Sequence, residues 1–113
     1  MDILPIINRT YEVYKSVADI NQHLEKRSRY SLGQSLENTI LDLLENLIMA
    51  KNAPKALKSP YLIKASAHVE LSSLKLRLYL ELNMANNTRI FQIQKKLEEI
   101  GRMTGGWLKS LSN

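Results

Sequence analysis

Apolar residues recur along this chain at steps of three and four, the signature of helices that bury one face. In the first segment Ile3, Ile6, Ile7, Tyr11, Tyr14, Val17, Ala18 and Leu24 follow that rhythm, which predicts a helix over residues 3–25. Pro5 falls in its first turn, where a missing N–H costs little. The polar, mostly basic run Glu25-Lys26-Arg27-Ser28-Arg29 closes the segment. Cations there suit the negative end of a helix dipole.

A second helix is expected over residues 31–51. Ser31-Leu32-Gly33-Gln34 reads as a capping box. Leu32, Leu36, Ile40, Leu43, Leu47 and Ala50 then form one stripe, widened by Leu41, Leu44 and Ile48. The longest break, from Lys51 to Pro60, ends in Ser59-Pro60, a capping side chain before a proline at the first helical position.

The third segment, residues 60–83, carries two competing patterns. Leu74-Lys75-Leu76-Arg77-Leu78-Tyr79-Leu80-Glu81-Leu82 alternates as a strand would. Ala67, Leu71, Leu74, Leu78 and Leu82 also step as a helix does, and leucine is a weak strand former. Helix is the favoured reading. It leaves Leu76 and Leu80 on a second apolar face, which would need a second partner, as in an oligomer.

Residues 88–111 form the fourth expected helix, capped by Asn87 or Thr88. Ile93, Leu97, Ile100, Thr104, Trp107 and Leu111 make its stripe. Trp107 sits in that stripe, as a core or subunit-interface residue would. Gly101, Gly105 and Gly106 cost about 1 kcal/mol each relative to alanine. They would allow a close helix approach or a kink. Four amphipathic helices with short breaks predict an all-α fold, an antiparallel up-down-up-down four-helix bundle in a single domain over residues 1–113.

Composition agrees with that. There are 19 Leu and 10 Ile against 3 Val. The chain has no cysteine, which excludes disulfides, thiolate metal sites and thiol catalysis. No leader-like N-terminus is present, and no apolar run approaches a membrane span. No membrane association and a cytoplasmic location are expected.

No catalytic set emerges. His23 and His68 lack a second ligand at helical spacing, and Asp19 before His23 reads as a surface hydrogen bond. No Glu-x-x-His motif of a bundle-core metal site occurs, nor a phosphate loop. The expectation is no enzyme, no metal and no cofactor.

Charge changes the picture more. Sixteen Lys and Arg against eleven Asp and Glu give a net charge of +5. The excess is local: residues 51–83 carry six basic and two acidic side chains, whereas residues 31–50 carry none and three. Lys26, Arg27 and Arg29 cluster in the first loop, and Lys51, Lys55, Lys58 and Lys64 around the second, at opposite ends of an antiparallel bundle. Lys64, His68 and Lys75 share a face of the third helix, and Arg77 follows. These cations are candidate contacts to the phosphates of RNA or DNA; ordinary solubilising charge is the competing reading. Tyr30 and Tyr61 are too sparse for a stacking platform.

Ser28-Arg29-Tyr30-Ser31-Leu32-Gly33-Gln34 resembles the opening of the second helix in small bacterial four-helix-bundle proteins, including those encoded in ribosomal RNA intervening sequences. The run Glu98-Glu99-Ile100-Gly101-Arg102-Met103-Thr104-Gly105-Gly106-Trp107-Leu108-Lys109 is similar, more particularly, to the last helix of Avd, the accessory variability determinant of diversity-generating retroelements. The Avd resemblance implies a homopentameric barrel, with Leu76, Leu80 and Trp107 as candidate interface residues. It also implies a non-catalytic partner of a reverse transcriptase and of nucleic acid, acting in mutagenic retrohoming. The alternative is a structural bundle of the intervening-sequence group. The family often has two arginines one turn apart on the third helix, where this chain has Lys75 and Tyr79. Lysine loses bidentate phosphate recognition, and tyrosine removes the charge.

Overall fold

Pro5 occupies the first turn of α1 (Leu4–Gln22), with Ile3 at its N-cap. In the computed structural model, which describes residues 3–112, α1 is followed by a short turn, α2 (Lys26–Ser28). A π-helical segment over Arg29–Gly33 carries α2 without a break into α3 (Gln34–Asn52). A 3₁₀ turn at Lys55–Leu57 precedes α4 (Lys58–Glu81), and α5 (Asn87–Ser110) completes the described chain. The four long helices are all-α and pack consecutively, with α3 against α1 and α4, and α5 against α4 and α1. α1 and α4 therefore stand on one diagonal, α3 and α5 on the other.

The cross-helix bonds give the directions. As α4 advances through Lys58, His68 and Lys75, its α3 partners retreat from Ala50 to Asp42 to Ser35. Likewise Arg9 meets Glu99, and Asp19 meets Arg89 at 2.6 Å, so α5 runs against α1. The result is an antiparallel bundle whose extents are 46 × 22 × 19 Å.

Several starts differ from expectation. Ser31 does not cap a helix: its hydroxyl donates to the Arg27 carbonyl at 2.8 Å, inside a helix that began five residues earlier. Glu25 reverses the chain with extended backbone (ψ 152°), so Lys26 and Arg27 open the second helix instead of closing the first. At α4 the N-cap is Leu57, which puts Ser59 and Pro60 within the first turn. Pro60 is still tolerated there because that turn's N–H groups have no helical acceptor. Asn86, one residue before the expected caps, accepts the Arg89 N–H at 3.1 Å.

The ends are closed by specific bonds. Lys58 donates to the Ala50 and Lys51 carbonyls, at 2.7 and 3.0 Å, satisfying the last turn of α3. After α4, Asn83 adopts a left-handed φ of 52° and Met84 N–H reaches back to the Tyr79 carbonyl, a Schellman closure.

The expected stripes of the second and fourth helices form the core. Leu36, Ile40, Leu43, Leu47 and Ala50 of α3 are buried, as are Ile93, Leu97, Ile100, Thr104 and Trp107 of α5. α5 passes through Gly105-Gly106 unbroken. Gly101 is the close approach: a Cβ there would lie 3.3 Å from Val69 of α4.

α4 reverses the expectation. Its buried residues are Leu62, Ala65, Val69, Ser72, Leu76 and Tyr79. The row Leu71, Leu74, Leu78 and Leu82, expected in the core, faces outward. Leu62, Val69 and Leu76 are seven apart, as are Ala65, Ser72 and Tyr79, so the buried row steps by threes and fours along the helix as the leucine row does.

Candidate nucleic-acid and partner surfaces

The basic residues divide as the antiparallel topology requires. Lys26, Arg27 and Arg29 lie at the end of the bundle where α1 finishes and α2 begins. Lys26 and Arg27 are exposed. Arg29 is half-buried; its Nη2 donates to the Leu24 carbonyl at 3.3 Å, and its guanidinium lies 5.8 Å from the Tyr30 ring. At the opposite end, Lys51, Lys55 and Lys64 are exposed. Lys58 is the exception there, its ammonium committed to the α3 carbonyls.

Lys75 and Arg77 do not join a cationic face. Lys75 crosses to α3 and donates to Ser35 Oγ at 2.6 Å and Thr39 Oγ1 at 2.7 Å. Arg77 pairs with Glu81 one turn on, at 3.0 Å. His68 on the same flank donates from Nδ1 to the Lys64 carbonyl at 2.7 Å, and its Nε2 lies 3.9 Å from Asp42. The expected row of Lys64, His68 and Lys75 is therefore mostly the α3–α4 seam.

The candidate interface residues are equally displaced. Leu76 is 0% exposed, Leu80 packs against the core, and Trp107 is 5% exposed within a single protomer. The exposed apolar surface lies elsewhere on α4: Ile63, Leu71, Leu74, Leu78 and Leu82 are between 42 and 61% exposed. They make a continuous apolar row along the outer side of one helix. On α3, Leu41 and Ile48 of the expected second stripe also point outward.

A polar groove runs between α1 and α3 beside the π-helical turn. Two neighbouring pockets along it, of about 460 and 260 Å³, share Arg29 and Glu37 in their walls. The π segment has a local cause. Asn21 of α1 is buried, and its Nδ2 donates to the Gly33 carbonyl at 2.9 Å and to Glu37 Oε2 at 2.7 Å. The amide side chain fits because Gly33 has none: a Cβ would lie 3.2 Å from Asn21 Cγ. The Gln34 N–H accordingly reaches the Arg29 carbonyl, one residue further back than an α-helix allows. Sequence reasoning missed Asn21 and Glu37, since nothing in the spacing marks an asparagine on a core face.

The family model described as bAvd-like matches residues 4–111. The chain belongs to the bAvd-like family. No curated protein matches it. Membership agrees with the Avd resemblance that the fourth-helix motif carries. For a bAvd-like chain, Lys75 and Tyr79 now have a physical account. Tyr79 is fully buried and donates its hydroxyl to Asn21 Oδ1 at 2.6 Å, and Lys75 ties α4 to α3. Both positions hold the protomer together. No helix among the described residues is long and apolar enough to cross a membrane.

Proposed function

We propose that this bAvd-like protein is a non-catalytic accessory subunit of a diversity-generating retroelement. It assembles through the outer face of α4, as the pentamer implied by its family, and binds its reverse transcriptase and RNA or cDNA. The apolar row Ile63, Leu71, Leu74, Leu78 and Leu82 carries the assembly reading, because a solitary bundle gains nothing by exposing it. Nucleic-acid contact falls to the exposed cations at the two ends, Lys26 and Arg27 at one and Lys51, Lys55 and Lys64 at the other. Five copies multiply a net charge of +5 into a strongly cationic particle.

Light scattering after size exclusion tests the assembly. Wild type should elute as about five subunits. Leu74→Glu with Leu78→Glu should give monomers of unchanged helicity. A wild-type monomer, or a double variant that keeps the oligomer, overturns the reading. Affinity for single-stranded RNA should fall with salt at a slope of about −0.7 per phosphate neutralised, and a reverse transcriptase encoded nearby should co-purify.

A further inference from the structure

We propose that the groove between α1 and α3 is a nucleobase-binding site, taking one unpaired base that carries an exocyclic amine. This rests on the nucleic-acid reading above and adds a site to it. The groove joins groups that suit a base better than a phosphate. Tyr14 and Tyr30 line it, with Gln34 and Asn38, around the shared pair Arg29 and Glu37. Tyr30 is 63% exposed, a large ring held at the mouth with the Arg29 guanidinium beside it. An exposed aromatic of this kind is a stacking surface for a base.

Charge selects the part of the nucleotide that enters. The Glu37 carboxylate repels a phosphate but accepts an amine, as acidic side chains do at cytosine N4. It accepts one bond within the protomer, from Asn21, and retains acceptor capacity on its other oxygen. Arg29 supplies the opposite chemistry: its side chain lines the groove and its Nη2 donates to the Leu24 carbonyl, leaving further guanidinium donors. A base that offers an amine to Glu37 and a carbonyl or ring nitrogen to Arg29 satisfies both. Uracil and thymine lack the amine. Lys26 and Arg27 stand just before the groove on the same helical run, placed to hold the flanking phosphates.

The groove is also built to persist. Asn21 fixes the π-helical turn by bonds to Gly33 and Glu37, and Tyr79 fixes Asn21. The widened turn carries Arg29 and Tyr30 into the groove wall. α1 is diagonal to α4 in the bundle, so assembly through the outer face of α4 leaves the α1 side of the groove open.

The experiment measures binding of the full chain to three fluorescent 12-mers: oligo(rC), oligo(rU) and an abasic ribose-phosphate strand. Wild type should bind oligo(rC) at least tenfold more tightly than the abasic strand, a modest yield for one stacked and hydrogen-bonded base. It should also prefer oligo(rC) to oligo(rU). Tyr30→Ala should abolish the preference over the abasic strand while leaving abasic affinity and its salt slope unchanged, and Tyr30→Phe should restore it. Equal binding of oligo(rC) and the abasic strand by wild type, or a preference that survives Tyr30→Ala, overturns the site. Failure to bind any strand at low salt overturns the nucleic-acid reading on which it rests.

Discussion

The hydroxyl of Tyr79 on α4 donates to Oδ1 of Asn21 on α1 at 2.6 Å, joining the two helices that stand on a diagonal of the bundle. Both residues are essentially without exposure. Asn21 thereby uses its acceptor on Tyr79 and its donors on Gly33 and Glu37, a fully occupied amide in the core. Removing the hydroxyl strands that acceptor. Tyr79→Phe should cost about 1–3 kcal/mol in chemical denaturation, the penalty of a buried polar group left unpaired. A loss within about 0.3 kcal/mol would show that the bond contributes nothing net.

The same bond predicts an alkaline limit. Burial raises the Tyr79 hydroxyl from 10.0 to about 12, with the charge of Glu37 adding to the effect. The folded state thus holds the proton more tightly than the unfolded state. Its stabilising contribution is complete below pH 10 and is lost as pH rises towards about 12. Within that window stability should fall by at most about 1.4 kcal/mol per pH unit from this group. Lysines titrate in the same range, so the diagnostic is the difference in slope between wild type and Tyr79→Phe. Equal slopes would show that Tyr79 titrates normally.

Much of this architecture is legible in the sequence. The rows Leu36-Ile40-Leu43-Leu47 and Ile93-Leu97-Ile100-Thr104-Trp107 step by fours and threes and are apolar but for Thr104, which marks both as core. α4 misleads because its buried face holds Ser72 and Tyr79, while its exposed face is mostly leucine. Hydrophobicity then ranks the two faces in the wrong order, and spacing does not separate them, since both rows step by threes and fours. The groove was illegible for a different reason. Tyr14 belongs to α1 and Arg29 and Glu37 to the next helical run, and the π-helical turn between the latter two brings all three to one wall. Ser31 has the form of a cap because a serine three residues before a glutamine has that form wherever it occurs.

Two glycines should respond in opposite directions. At Gly33 a Cβ would lie 3.2 Å from both Asn21 Cγ and the Ser28 carbonyl oxygen. The first is pinned by hydrogen bonds and the second is backbone, so neither yields cheaply. Gly33→Ala should destabilise by about 1–3 kcal/mol, as overpacking does. At Gly105 nothing lies within 4 Å of the added carbon. Gly105→Ala should stabilise the protomer by about 0.5–1 kcal/mol, the ordinary helix-propensity gain. Thermal melts of both variants decide it, and a stabilising Gly33→Ala would refute the packing account of the π segment.

Lys75 separates structural from functional charge. Its ammonium is held by Ser35 and Thr39 on α3, with no carboxylate partner among the described residues. Lys75→Met keeps the apolar stem and removes the donor. It should cost about 1.5–3 kcal/mol, the range for hydrogen bonds to a charged group, while leaving affinity for single-stranded RNA within about twofold. Lys51→Glu with Lys55→Glu should do the reverse. Both side chains are exposed, so the melting temperature should hold, while the salt slope of RNA binding should shrink by about 1.4 for two lost phosphate contacts. If Lys75→Met weakens RNA binding as much as the double reversal does, the α3–α4 seam opens in the complex and its lysine reaches the strand.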